Sequence, residues 1–70
     1  MDKTLSVLYI YDLLLSGERF QSSDLSSELG CSLRTAKRHI SSVKEYVDKY
    51  HTDKVVKYSV REKSYCLMDR

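Results

Sequence analysis

The stretch that most constrains this chain runs from Asp24 to Val47, DLSSELGCSLRTAKRHISSVKEYV. It reads as two helices broken by a tight turn at Gly30-Cys31-Ser32. In the first, Asp24 to Leu29, the residues Leu25 and Leu29 stand four apart and so share one face. Gly30 can take the left-handed conformation that closes a helix without a Cβ penalty. Ser32 suits an N-cap, its hydroxyl accepting a backbone N–H two or three residues on. In the second helix Ala36, Ile40, Val43 and Val47 are spaced four, three and four, which makes one buried stripe. Arg34, Lys37, Arg38, Ser41 and Lys44 fall off that stripe, towards solvent or a partner.

The rest of the chain has to close a core around this pair. Seventy residues predict one domain, 1–70, near the lower limit for a core without disulfide or metal staples. TLSVLYIYDLLLS, residues 4–16, predicts a first helix ended by Gly17 and capped by Asp2 or Thr4. Val7, Ile10 and Leu14 form one stripe, flanked by Leu8, Tyr11 and Leu15. Leu5, Tyr9 and Leu13 lie on another side. A helix apolar nearly all round is buried on more than one face, and so small a chain cannot surround it alone. Leu5, Tyr9 and Leu13 are therefore expected to pack on a second copy of the chain or on a further domain. The competing expectation is that Tyr9 and Tyr11 lay their rings on the rim with hydroxyls in water.

Gly17 to Ser23 reads as a linker, extended around Arg19 to Gln21. Phe20 would plug the gap between helices 1 and 2, and Ser23 would cap helix 2 at about 23–29. The third helix should run over about 33–50, with Tyr46 and Tyr50 covering the core edge. His51-Thr52-Asp53 is a polar break. KVVKYSV (54–60) and SYCLM (64–68) have the content of strands, which predicts a hairpin over about 54–68. Arg61-Glu62-Lys63 joins them without glycine, so a longer or type I-based loop is expected.

Composition narrows the function class. At 41% hydrophobic and 31% charged the chain is globular, not disordered. The longest apolar stretch, Val7 to Leu15, contains Asp12 and is too short to span a bilayer, and no secretory signal is evident; a cytoplasmic location without membrane contact is expected. Cys31 and Cys66 are read as reduced core thiols. His39 and His51 have no serine or cysteine partner that sequence can establish, and neither a glycine-rich phosphate loop nor HExxH occurs. No enzymatic activity, metal or cofactor is expected, and His39 reads as a helix-surface residue that touches backbone phosphates or nothing. The net charge of +2 conceals an asymmetry: residues 1–30 set two cations against five carboxylates, residues 31–70 set ten against five. Charge gathered on one half suits a polyanion, although a solvated surface gives the same count.

Three helices followed by a basic hairpin give an α+β, mostly α, fold: a three-helix winged helix-turn-helix with a C-terminal β-hairpin wing. LLLSGERFQSSDLSSELGCSLRTAKRHISSV resembles the amino-terminal module of DeoR-type and WYL-type (helix-turn-helix type 11) bacterial transcription regulators. Leu25 to Ser32 stands at that family's LA-x-x-LGVS stretch, Leu33 to Ile40 at its x-RTI-x-RDh stretch, and Tyr65-Cys66-Leu67 is similar to its closing G-Y-x-L strand. The resemblance covers roughly residues 5–67. Ser26 stands for the family's alanine, Ala36 for isoleucine, His39 for aspartate, and the wing lacks its glycine. These departures fit a distant relative, including a phage or Mga-like regulator.

The resemblance implies sequence-specific binding of double-stranded DNA, as a homodimer on an inverted repeat or as one module of a larger effector-binding protein. Repression by occluding a promoter is the default mechanism, with activation equally compatible with the residues. A recognition helix places its first turns in the major groove. Ser32, Leu33, Arg34, Thr35, Lys37, Arg38 and Ser41 are the candidate contacts there. Arg34 is the foremost base reader; Lys37 and Arg38 divide between bases and phosphates. Leu33 meets a thymine methyl or belongs to the core; Thr35 bonds phosphate or its own helix. Lys57, Arg61 and Lys63 would set the wing on the backbone. A protein-interaction winged helix, and an architectural, excisionase-like DNA binder, are the alternatives.

Overall fold

Asp2 starts the first helix: its carboxylate accepts the Leu5 backbone N–H at 2.8 Å, in extended backbone conformation, as an N-cap does. The computed structural model describes residues 2–70. Helix α1 spans Lys3–Leu15, α2 Ser22–Leu29 and α3 Leu33–Tyr50; strands β1 and β2 span Lys54–Ser59 and Ser64–Asp69. The chain is thus mostly helical with a two-stranded antiparallel hairpin, paired from Lys54↔Asp69 to Ser59↔Ser64.

Each helix is aimed by its apolar residues. Ala36, Ile40, Val43 and Val47 of α3 are all buried, as the four-three-four spacing requires. Against them lie Leu25 and Leu29 of α2, Ile10 and Leu14 of α1, Phe20 of the linker and Val56 of β1. In α1 the buried stripe includes Ser6, which the apolar pattern does not reveal, while Val7 is only partly buried. Leu8 and Leu15, expected to flank the stripe, are 55% and 57% exposed. With apolar residues on every side, sequence alone cannot phase this helix.

Of the two expected caps of α1, Asp2 is the one in place. Two boundaries differ from expectation. Helix α2 begins at Ser22, so Ser23 lies within its first turn and is not the cap; Gln21 holds that position without a side-chain bond. The reason is that Phe20 is held in extended conformation by Tyr65: Phe20 N–H donates to Tyr65 C=O at 3.2 Å, and Tyr65 N–H to Phe20 C=O at 2.8 Å. The chain turns helical directly after Gln21. Val60, expected in the first strand, sits instead in a four-residue loop, Val60 to Lys63. There Ser59 Oγ accepts the Glu62 N–H at 3.2 Å and Lys63 adopts a left-handed φ of 53°. A residue with φ > 0 takes the role that glycine has in shorter turns.

Phe20 and Tyr65 also stack ring on ring, with centroids 5.9 Å apart. Burial pushes the Tyr65 phenol above its usual range, with the neighbouring Tyr58 adding to the shift. Cys31 and Cys66 are both free thiols, half-buried. No helix among the described residues is long and apolar enough to cross a membrane.

Candidate nucleic-acid interface

The turn between α2 and α3 follows from two residues. Gly30 closes α2 at φ 66°, ψ 36°, its N–H meeting the Ser26 and Ser27 carbonyls, and Cys31 N–H returns to Ser26 C=O at 3.0 Å. Ser32, in extended conformation, caps α3: its Oγ accepts the Thr35 N–H at 3.1 Å. The same hydroxyl donates to Thr35 Oγ1 at 3.0 Å. Of its two expected roles, Thr35 is thereby occupied in its own helix cap.

Burial of the Ala36–Val47 stripe turns the opposite side of α3 outward. Leu33, Arg34, Lys37, Arg38 and Ser41 together line one shallow, solvent-open depression. Leu33 is 44% exposed, so it belongs to this surface and not to the core. The two arginines, four apart, stand one turn above the other on this face.

The ion pairs sharpen the picture. Among the described residues they are Arg19–Glu62, Lys54–Asp69 and Arg70–Asp48, the last at 3.1 Å. The Lys54–Asp69 hydrogen bond and charge raise the lysine and lower the carboxyl from their ordinary values. None of these pairs engages Arg34, Lys37 or Arg38, nor the hairpin's Lys57, Arg61 or Lys63. Cations without an internal carboxylate partner are the ones able to exchange small counterions for a polyanion. Lys57 is exposed on β1 and Arg61 and Lys63 are exposed in the loop, so the hairpin cations form a second group on another element.

The expected helix-1 trio is not brought together as one exposed patch. Leu5 is 54% exposed, whereas Tyr9 and Leu13 are half-buried against the core. Tyr9 donates its hydroxyl to Glu28 of α2, and this hydrogen bond, above all, raises the phenol from its ordinary value. The outward apolar residues of α1 are Leu5, Leu8 and Leu15.

Beside them is a feature that sequence reading missed. Val7, Leu8, Tyr11, Val43 and Tyr46 line a groove of ≈ 230 Å³ between α1 and α3. Its aromatic end is built by Tyr11 and Tyr46, edge to face at 5.6 Å; outside the groove, His51 Nε2 lies 3.0 Å from the Tyr11 hydroxyl. The four-residue spacing of Tyr46 and Tyr50 places those two together; nothing local announces Tyr11 with His51. His39 is also corrected: it is half-buried, with Nδ1 enclosed and without a hydrogen-bond partner, not a free surface residue. Among the described residues no group of three or more His, Cys, Asp or Glu side chains is placed to hold a metal ion. No family model, curated protein or solved structure matches the chain.

Proposed function

We propose that this chain is a winged helix-turn-helix domain that binds double-stranded DNA sequence-specifically, as the DNA-reading part of a bacterial or phage transcription regulator. The observation that carries the reading is the outer face of α3. There Arg34, Lys37 and Arg38, directly after a left-handed glycine turn and a serine cap, share one open surface without ion-pair partners. Arg34 and Arg38 would read base edges in the major groove, where arginine bonds guanine bidentately. Ser41 and Lys37 would reach phosphate oxygens. Leu33 is exposed at the helix start, where an apolar side chain meets a thymine methyl. Lys57, Arg61 and Lys63 would hold the hairpin, as a wing, on the sugar-phosphate backbone.

A homodimer on an inverted repeat completes the proposal, with the exposed leucines of α1 supplying the contact. The second reading, a protein-interaction domain, draws on the same leucines and on the groove that Tyr11 and Tyr46 close. The deciding experiment is selection of bound sequences from random duplex DNA at two salt concentrations. A single palindromic motif is the expected result. Binding without a motif, weakening steeply with salt, would replace the proposal with an architectural role. Absence of binding at low salt would favour the protein-interaction reading.

A further inference from the structure

The hairpin loop reads Val60-Arg61-Glu62-Lys63, so one carboxylate sits between two cations. Beside a polyanion, Glu62 would oppose the attraction of both neighbours. Its place in the loop is fixed by Ser59 Oγ, which accepts the Glu62 N–H at 3.2 Å. The carboxylate itself is taken by Arg19, whose Nη1 donates to Oε2. Arg19 does not belong to the hairpin; it lies in the linker between α1 and α2, 43 residues away in sequence. That linker is anchored to β2 by the reciprocal Phe20–Tyr65 backbone bonds and by their stacked rings. The arginine is therefore delivered to the loop by the residue next to a backbone clamp. Its side chain and that of Glu62 are 55% and 51% exposed, so the pair adds little to stability. Its consequence is electrostatic.

We infer that Arg19 is a positioning residue for nucleic-acid binding: it neutralises the one carboxylate of the hairpin loop, so that Arg61 and Lys63 meet phosphate unopposed. The inference rests on the DNA-binding reading above. It assigns a role in binding to a cation that lies in the acidic half of the chain and touches no DNA.

Wild type, Arg19→Ala, Glu62→Gln, the double variant and Arg19→Lys are titrated with random-sequence duplex DNA at about 50 and 200 mM salt. Far-UV circular dichroism checks that each is folded. Arg19→Ala should weaken binding about fivefold at the lower salt and less than about twofold at the higher, as screening shortens the reach of the exposed carboxylate. Glu62→Gln in the Arg19→Ala background should return affinity to within about twofold of wild type with an unchanged salt slope, and Arg19→Lys should stay equally close. A double variant as weak as Arg19→Ala would overturn the inference, because Arg19 would then contact phosphate itself or serve only as a tether. Wild-type affinity in Arg19→Ala would overturn it as well. Failure of the wild type to bind any duplex would instead remove the reading beneath it.

Discussion

Helices α1 and α3 are the two longest elements, and both contribute the centre of the core, yet they treat solvent in opposite ways. In α3, apolar residues occupy one stripe and the outer face is basic; the inside is satisfied by the chain itself and the outside by water or a polyanion. In α1, Ile10 and Leu14 are buried while Leu5, Leu8 and Leu15 remain more than half exposed, and the inner face spends a position on Ser6. A helix that leaves leucines outside while burying a serine is not phased by hydrophobicity alone. The contrast teaches that α3 separates an apolar inside from a basic outside, whereas α1 carries apolar residues on both its buried and its exposed side.

The sharpest way to break this comparison is to remove the charge from α3. Arg34→Ala with Arg38→Ala should lose about 1–3 kcal/mol of specific binding per arginine, as for bidentate base contacts. Thermal unfolding should be unchanged within about 0.5 kcal/mol, because both side chains are exposed and unpaired. Gel-shift titration against the selected motif and a melting curve read the two arms. Intact specific binding would end the assignment of α3 as the reading helix.

On α1 the corresponding test separates its two faces. Leu14→Ala removes a fully buried side chain and should cost about 2–5 kcal/mol, enough to unfold a small domain in mild denaturant. Leu5→Glu with Leu8→Glu, by contrast, should leave the monomer's stability within about 0.5 kcal/mol. Its effect should appear in sedimentation, as conversion of a dimer to a monomer. Leu8 and not Tyr9 accompanies Leu5, because a glutamate at position 9 would face Glu28 and confuse repulsion inside the chain with loss of an interface. A wild type that sediments as a monomer would leave the outer leucines without the proposed partner.

How much of this was legible in the sequence follows from the range of each interaction. Local signals were sufficient for α3: the periodic stripe, Gly30 and Ser32 act within a few residues, and its bounds Leu33–Tyr50 match the expectation. The hairpin was legible for the same reason, except for Val60, where the Ser59–Ser64 pair rather than residue type ends the strand. The phase of α1 was not legible, because apolar residues on every side leave the pattern without polarity. Nor were Phe20 with Tyr65, Tyr9 with Glu28, Tyr11 with His51 or Arg19 with Glu62, all pairs set by the packing of distant segments. For the candidate site, the α3 residues were legible individually; that Thr35 serves the cap and that Leu33 is exposed required the fold.

A smaller effect tests whether the turn, rather than the stripe, orients the basic face. Ser32→Ala removes the acceptor of the Thr35 N–H and should cost about 1 kcal/mol in chemical denaturation, whereas Ser32→Gly should cost only a few tenths. Equal losses for the two would mean that Ser32 contributes something other than its cap. Because the Thr35 hydroxyl accepts from Ser32, Ser32→Ala also frees that hydroxyl, and a change in affinity larger than the change in stability would return Thr35 to the list of DNA contacts.

The smallest effect carries the most discriminating sign. Lys63 sits at φ 53°, where a Cβ costs about 1–2 kcal/mol, of which glycine returns part because it also loses more chain entropy on folding. Lys63→Gly should therefore stabilise the domain by about 0.5–1 kcal/mol in denaturant titration. The same substitution deletes a loop cation, so affinity for all duplex sequences should fall alike and the salt slope should drop by about one. Stability and binding then move in opposite directions from a single change. Lys63→Asn controls for the backbone, since asparagine tolerates the left-handed region while lacking the charge. Were Lys63→Gly more stable with binding untouched, the lysine would be a strained turn residue only, and the hairpin would present DNA with Lys57 and Arg61 alone. A loss confined to particular sequences would mean instead that the loop reads bases.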